Sequence, residues 1–184
     1  MPKLTTPRLE LIPITLDILE AVVANDKIAC ERLAGAAFPD NWPNEDLIAR
    51  AFPVSMTAVR ADPAVRLWGD TLVIEKRRRD GTAVTPRVVG SVIFHGFPAD
   101  GVAEVGYGVE EDSRGQGLAA EATNACVRWA LAQPGIVAVQ ATTFPWHSAS
   151  LGVIRRLGMQ PCGRREHDTL GELLVFELRS DSVR

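Results

Sequence analysis

The sequence predicts one domain, residues 1–184, of the α/β (α+β) class. The length of 184 residues is ordinary for a single domain and enough to bury a core. Strand and helix signals follow one another as β, helices, β-β-β, α, β, α, β-β. Within that order, the segments 104–109, 118–132 and 136–143 make a strand–helix–strand unit, which calls for two parallel strands. Between its first strand and its helix lies Glu110-Glu111-Asp112-Ser113-Arg114-Gly115-Gln116-Gly117. Glycines at alternate positions let backbone N–H groups approach a bound group, and the helix start adds unpaired donors and a positive dipole end. Strand, glycine loop and helix start together suit a diphosphate.

Residues 8–14 form the first strand, bounded by Pro7 and Pro13. Thr15 can cap a helix with Leu16, Leu19, Val22 and Val23 as its apolar positions. A second helix over 27–34 takes Asp26 as cap and Gly35 as stop. Phe38-Pro39-Asp40-Asn41-Trp42-Pro43 breaks regular structure, and a helical stretch starts at Asn44, is interrupted at Pro53 and ends near Asp62-Pro63. Strands at 67–75 and 87–97 flank a turn at Asp80-Gly81 that carries the basic run Lys76-Arg77-Arg78-Arg79. In the helix after the glycine loop, Leu118, Ala122, Ala125, Cys126 and Trp129 share one stripe, so Cys126 reads as packing. A helix over 148–157 ends at Gly158 with Arg155 and Arg156 at its negative end, and strands at 159–165 and 173–178 close the chain.

Composition narrows the function classes. Net charge is −3, which gives no general attraction to nucleic acid, and the basic run reads as a solvated turn. No apolar run is long enough to span a membrane, and the N-terminus does not resemble a signal peptide. The three cysteines, Cys30, Cys126 and Cys162, form no metal-ligand cluster, so no metal is expected and reduced thiols point to the cytoplasm. The loop lacks the lysine of a P-loop, and the strand after it supplies no acidic ribose ligand for a dinucleotide.

Arg114-x-x-Gly117-x-Ala119 resembles the Arg/Gln-x-x-Gly-x-Gly/Ala signature of the GNAT acetyltransferases. Further blocks resemble the RimJ/RimL-type branch: Thr6-Pro7-Arg8-Leu9-Glu10-Leu11, Val89-Gly90-Ser91-Val92-Ile93-Phe94, Glu104-Val105-Gly106-Tyr107-Gly108-Val109, and Ala149-Ser150 with Arg156-Leu157-Gly158-Met159. The resemblance covers nearly the whole chain. It implies the GNAT fold: a mixed, mostly antiparallel sheet of about six or seven strands, with a splayed parallel pair and helices on both faces. It also implies acetyl-CoA, with coenzyme A as product. The diphosphate would rest on backbone N–H groups of Arg114, Gly115, Gln116, Gly117, Leu118 and Ala119, and the pantetheine would pair with Tyr107, Gly108 and Val109. His147 stands where relatives commonly place an asparagine that contacts the pantetheine. Ile154 stands where many relatives place a tyrosine acid, and RimL-like relatives use a serine that maps to Ser150.

Acetyl transfer to an amine needs a base, donors for the developing oxyanion and a proton for the leaving thiolate. Glu104 is the candidate base, through a water, because a regular strand puts it on one face with Gly106 and Gly108. The other reading is a structural glutamate paired with an arginine, and His95 is a rival base. Ser150 is the candidate acid, or else a first-turn helix serine satisfying backbone groups. A backbone N–H near Val109 is the oxyanion donor that the resemblance suggests. Trp42, Phe38 and Trp146 either wall the acceptor site or pack in the core. The expected activity is acetyl-CoA-dependent N-acetyl transfer to a primary amine, a protein N-terminus or a small molecule, by direct attack in a ternary complex. The alternative is a non-catalytic CoA-binding sensor on the same fold. A homodimer is left open.

Overall fold

The computed structural model describes residues 1–40, 43, 52–167 and 171–180. Trp42 and the helical start expected at Asn44 lie outside the described residues. In chain order the elements are β1 (Leu4–Thr5), β2 (Leu9–Pro13), α1 (Leu16–Val23), α2 (Lys27–Ala34), α3 (Phe52–Ala61), β3 (Asp70–Arg77), β4 (Ala83–Phe94), β5 (Val102–Val109), α4 (Leu118–Leu131), β6 (Ala138–Thr143), α5 (Ser148–Leu157), β7 (Gln160–His167) and β8 (Gly171–Arg179). Among the described residues one eight-stranded sheet runs β1-β2-β3-β4-β5-β6-β8-β7, and of its strand pairs only β5–β6 is parallel. The strand beyond the expected six or seven is the two-residue β1, which is too short to carry a hydrophobic period.

The helix boundaries follow local chemistry. Thr15 Oγ1 accepts from the Ile18 N–H at 3.3 Å, and Asp26 Oδ1 from the Ala29 N–H at 2.9 Å. α3 as described begins at Phe52, with Pro53 in its first turn, where no N–H is needed; the stretch before it, across which Pro53 was expected to interrupt a helix, lies outside the described residues. The strand expected from residue 67 starts at Asp70, because Pro63–Trp68 form a 3₁₀ helix capped by Asp62. The basic run lies at the exposed end of β3 and the turn after it.

The sheet separates two cores. On one face α4 and α5 cover Leu9, Leu11, Val73, Val92, Val105 and Val139, with Leu118, Ala122 and Cys126 buried and Trp129 packed beside them. Trp129 also meets Trp68, at a ring-centroid distance of 4.8 Å. Burial drives the Cys126 thiol up to about 12, so it is a packing residue at neutral pH. On the other face α1, α2 and Phe52 of α3 cover Leu72, Ile74 and Val88.

The approach of β5 to β4 depends on Gly90. Val73 faces Gly90 while Ile74 faces Val88, so Val89 is the extra residue of a bulge. Gly90 has φ 153°, and a Cβ there would lie 2.1 Å from the Gly108 carbonyl oxygen and 2.8 Å from Val109 Cα. No flexible side chain can yield that space, since both neighbours are backbone. Gly90→Ala is therefore expected to cost roughly 2–4 kcal/mol of stability. Denaturant unfolding measures this, and an unchanged midpoint would mean that the end of β5 is free to shift.

Candidate active site

The β5–β6 pairing runs through Val102↔Ala138, Ala103↔Val139 and Glu104↔Gln140 and stops, although β5 continues to Val109 and β6 to Thr143. Two parallel strands have parted. On β5, the Glu104 carbonyl accepts from the His95 N–H and the Glu110 N–H reaches the Val89 carbonyl, so the even-numbered residues bond to β4. By strand alternation the N–H and C=O groups of Tyr107 and Val109 face the gap. Gly108 contributes differently. Its backbone faces β4, and nothing lies within 4 Å of where its Cβ would be.

A cavity of about 530 Å³ occupies this gap, lined by the end of β5, the glycine loop and the first turns of α4 and α5. The first intrahelical bond of α4 runs from the Glu121 N–H to the Gly117 carbonyl, leaving the N–H groups of Leu118, Ala119 and Ala120 outside the helix ladder. Those of Gly115, Gln116 and Gly117 have no acceptor among the described residues, whereas that of Arg114 bonds the Glu111 carbonyl at 3.1 Å. The Arg114 side chain turns back to the Val109 carbonyl at 3.3 Å. Gly117, at φ 80°, is the N-terminal residue from which α4 starts, in a conformation that L side chains seldom take. The N-terminus of α5 opens on the same cavity through His147, Ser148, Ala149 and Ser150. Two positive helix ends thus converge on one space, and the Arg156 guanidinium comes within 3.4 Å of the would-be Gly117 Cβ. The chemistry of this donor set fits a diphosphate with a polar arm.

Two carboxylates, one buried and one half-buried, hold the loop. Glu110 is 5% exposed and accepts from Arg87, from the Ser113 hydroxyl and, at 2.9 Å, from the Asp112 N–H. Glu121 on α4 accepts from the Thr6 hydroxyl at 2.6 Å, the Arg8 N–H at 3.1 Å and Arg8 Nε at 2.7 Å. Arg8 Nη1 then reaches the Gln116 carbonyl at 3.0 Å. The segment Thr6-Pro7-Arg8 therefore ties the first strand to the helix and to the loop. Burial raises the Glu121 carboxyl, but the Thr6 and Arg8 hydrogen bonds outweigh it and hold the group below the usual carboxylate range.

Ser150 is 8% exposed in the first turn of α5. Its Oγ lies 3.0 Å from the hydroxyl of Tyr107, which also reaches the Ser150 carbonyl at 3.2 Å. Burial raises the Tyr107 pKa and the hydrogen bond with Ser150 partly offsets it, so the phenol keeps its proton. A proton-bearing hydroxyl pair therefore bridges β5 and α5 in the cavity wall.

Glu104 lies on the opposite sheet face, where the strands part. Its carboxylate takes Arg165 Nη1 at 3.0 Å and the Thr142 hydroxyl at 3.3 Å, and His95 Nδ1 stands 3.9 Å away. The arginine partner expected of a structural glutamate is present, and so is an adjacent histidine. The two glycines beside Glu104 differ: a Cβ on Gly106 would meet Ile93 at 3.1 Å and the His95 ring at 3.2 Å, so only the Gly108 position is open. Phe38 is buried in the α1/α2 core, while Trp146 is 71% exposed and stacked on Phe144 at 5.0 Å, next to His147. Among the described residues no helix is long and apolar enough to cross a membrane.

Of the residues singled out from the sequence, the glycine loop, His147 and Ser150 meet at one cavity, while Glu104 lies on the opposite sheet face and does not line it. It missed the Tyr107 hydroxyl, because only the backbone of that residue was considered. It also missed Arg8 and Arg156 as loop partners, since neither is near the loop in sequence. The Thr6-Pro7-Arg8 block was a signal for the first of these.

A family profile described as acetyltransferase (GNAT) domain matches residues 8–160. The uncharacterized N-acetyltransferase YjdG of Bacillus subtilis (strain 168) is 24% identical over 159 residues, 86% of this chain and 89% of the relative. The fold resembles the ribosomal-protein-S5-alanine acetyltransferase of Vibrio fischeri, with a TM-score of 0.69, 12% identity and 100% of both chains covered. It also resembles RimL, a ribosomal L7/L12 alpha-N-protein acetyltransferase in complex with coenzyme A, with a TM-score of 0.63, 16% identity, and 96% of this chain and 97% of that one covered.

Because the Glu121 pKa is depressed by folding, its contribution is present above the unfolded value of about 4.3 and is lost as pH falls toward the folded one. Glu121→Gln is expected to lower stability at pH ~7 by about 1–3 kcal/mol, the usual worth of hydrogen bonds to a charged group. The difference from the wild type should shrink below pH ~4. Unfolding curves across this range check it, and a pH-independent difference would contradict it.

Proposed function

This chain belongs to the acetyltransferase (GNAT) family, and on that premise we propose that it transfers an acetyl group from acetyl-CoA to a primary amine in a ternary complex, by direct attack of the amine. The observation that carries the reading is the parting of β5 from β6 beside a cradle of free N–H groups at two helix ends. When bound, acetyl-CoA supplies an activated thioester. The N–H groups of Gly115 through Ala119 would hold its diphosphate, with Arg156 alongside, and the N–H and C=O groups of Tyr107 would take the pantetheine amides as a missing strand would, leaving the Val109 N–H for the thioester end. His147 lines the arm of the same channel. The Val109 N–H points into the gap, where it donates to the oxygen on which negative charge develops. The Tyr107–Ser150 hydroxyl pair donates toward the departing sulfur.

The acceptor amine reaches the thioester over Gly108, where the sheet face is open. Glu104, four residues before Gly108 on the same sheet face and beyond the His95 ring, takes the amine's proton through water, with Arg165 fixing its carboxylate and His95 beside it. The acceptor is a small amine or the end of a peptide, and the likeness to ribosomal-protein acetyltransferases supports the second. The free cysteines support a cytoplasmic protein.

Ser150→Ala is expected to lower kcat by about tenfold or more while acetyl-CoA still raises the melting temperature. Glu104→Gln should lower kcat/KM by roughly 10²–10⁴ and flatten the basic rise of the pH–rate profile, with a smaller loss in His95→Gln. Steady-state rates from free-thiol release decide this. Full activity in Glu104→Gln beside a crippled His95→Gln would transfer the base role to the histidine.

A further inference from the structure

A second cavity, of about 350 Å³, lies on the sheet face that carries Glu104, His95 and Gly108. Its walls come from Ile14, Leu19 of α1, Val54 and Val59 of α3, and Ile93. Asp70 is the one carboxylate among its described lining residues. It is 8% exposed, and Ser55 donates to its Oδ2 at 2.6 Å. No lysine or arginine pairs with it among the described residues. Burial drives its carboxyl above the usual range, opposed by the Ser55 hydrogen bond and by His95. A carboxylate without a cation in an apolar pocket costs stability, and a ligand cation removes that cost.

The position of this pocket ties it to the transfer site. Asp70 pairs with Ile93, and Ile93 with Gly106, so the three lie in one row across the sheet. Two strand spacings, on the order of 10 Å, separate Asp70 from the β5 backbone. The His95 ring packs over Gly106 between them. Gly108 lies one row further along, opposite Ser91, so a ligand with its cationic end at Asp70 would cross the sheet diagonally, with its apolar chain on Ile93, past the His95 ring, to end at the Gly108 opening.

We infer that this pocket is the acceptor's specificity site, and that the acceptor is an aliphatic amine with a second cationic group, held by Asp70 while its other amine is presented at Gly108. The inference rests on the acetyl-transfer reading for the second amine, but the binding of the cation does not.

The test compares α,ω-diamines with n-alkylamines of matched length on the wild type and on Asp70→Asn, a change that keeps the side-chain shape and an acceptor for Ser55. Binding is read by calorimetry without acetyl-CoA, and transfer by free-thiol release with it. The wild type should bind diamines at least about tenfold more tightly than monoamines, and Asp70→Asn should erase that preference with monoamine affinity changed less than about twofold. Without any amine, Asp70→Asn should melt no lower than the wild type. Equal binding of the two series by the wild type overturns the inference, as does a preference that survives Asp70→Asn. Acetylation of peptide N-termini with no diamine binding also overturns it, leaving the transferase reading intact. Diamine binding that depends on Asp70, without thiol release from any amine, supports the pocket and instead contradicts the transferase reading.

Discussion

The parting of β5 from β6 after Glu104↔Gln140 is the constraint from which the rest of the site follows. A continuous sheet satisfies its strand edges internally and leaves no space for a ligand. Here the pairing lasts long enough to fix the two strands and then fails, so Tyr107 and Val109 keep peptide groups that a bound chain can satisfy. The other side of β5 cannot yield, because β4 presses against it at Gly90 with no side chain between. The gap is thus held open from one side by backbone contact and spanned on the other by the Tyr107–Ser150 hydroxyl pair.

Electrostatics places the charged end of the ligand. Two helix N-termini and Arg156 put positive potential at the mouth of the gap, while net charge over the whole chain is −3. The loop that presents these groups is held by Glu110 from the β4 side and by Arg8 with Glu121 from the first strand. Both anchors are carboxylates with several donors each, a condition under which a buried charge is tolerated. The cradle is therefore built before any anion arrives, and binding has little ordering to do.

Much of this was legible in the sequence. Alternate glycines before an apolar helical stripe located the loop, and the stripe from Leu118 to Trp129 matched the buried face of α4. Caps at Thr15 and Asp26 were readable because a cap is a contact between near neighbours. What was not readable involves residues distant in sequence. Arg8 meets Glu121 and Gln116, Arg156 meets Gly117, and Tyr107 meets Ser150, each pairing fixed by the sheet order and by the packing of α5. The filled space above Gly106 was hidden for the same reason, since His95 lies on the neighbouring strand. Asp70 offered no motif at all, and its character comes from α1 and α3 closing over it.

The central claim is that the free edge of β5 receives the cofactor. Amide hydrogen exchange of single residues, followed by NMR with and without acetyl-CoA, tests it most directly. Tyr107 and Val109 are expected to exchange quickly in the free protein and to become protected on binding. Gly108 and Glu110, already bonded toward β4, should change little. Protection without this alternation, or a change confined to the Asp70 pocket with Tyr107 and Val109 unaffected, would contradict the account.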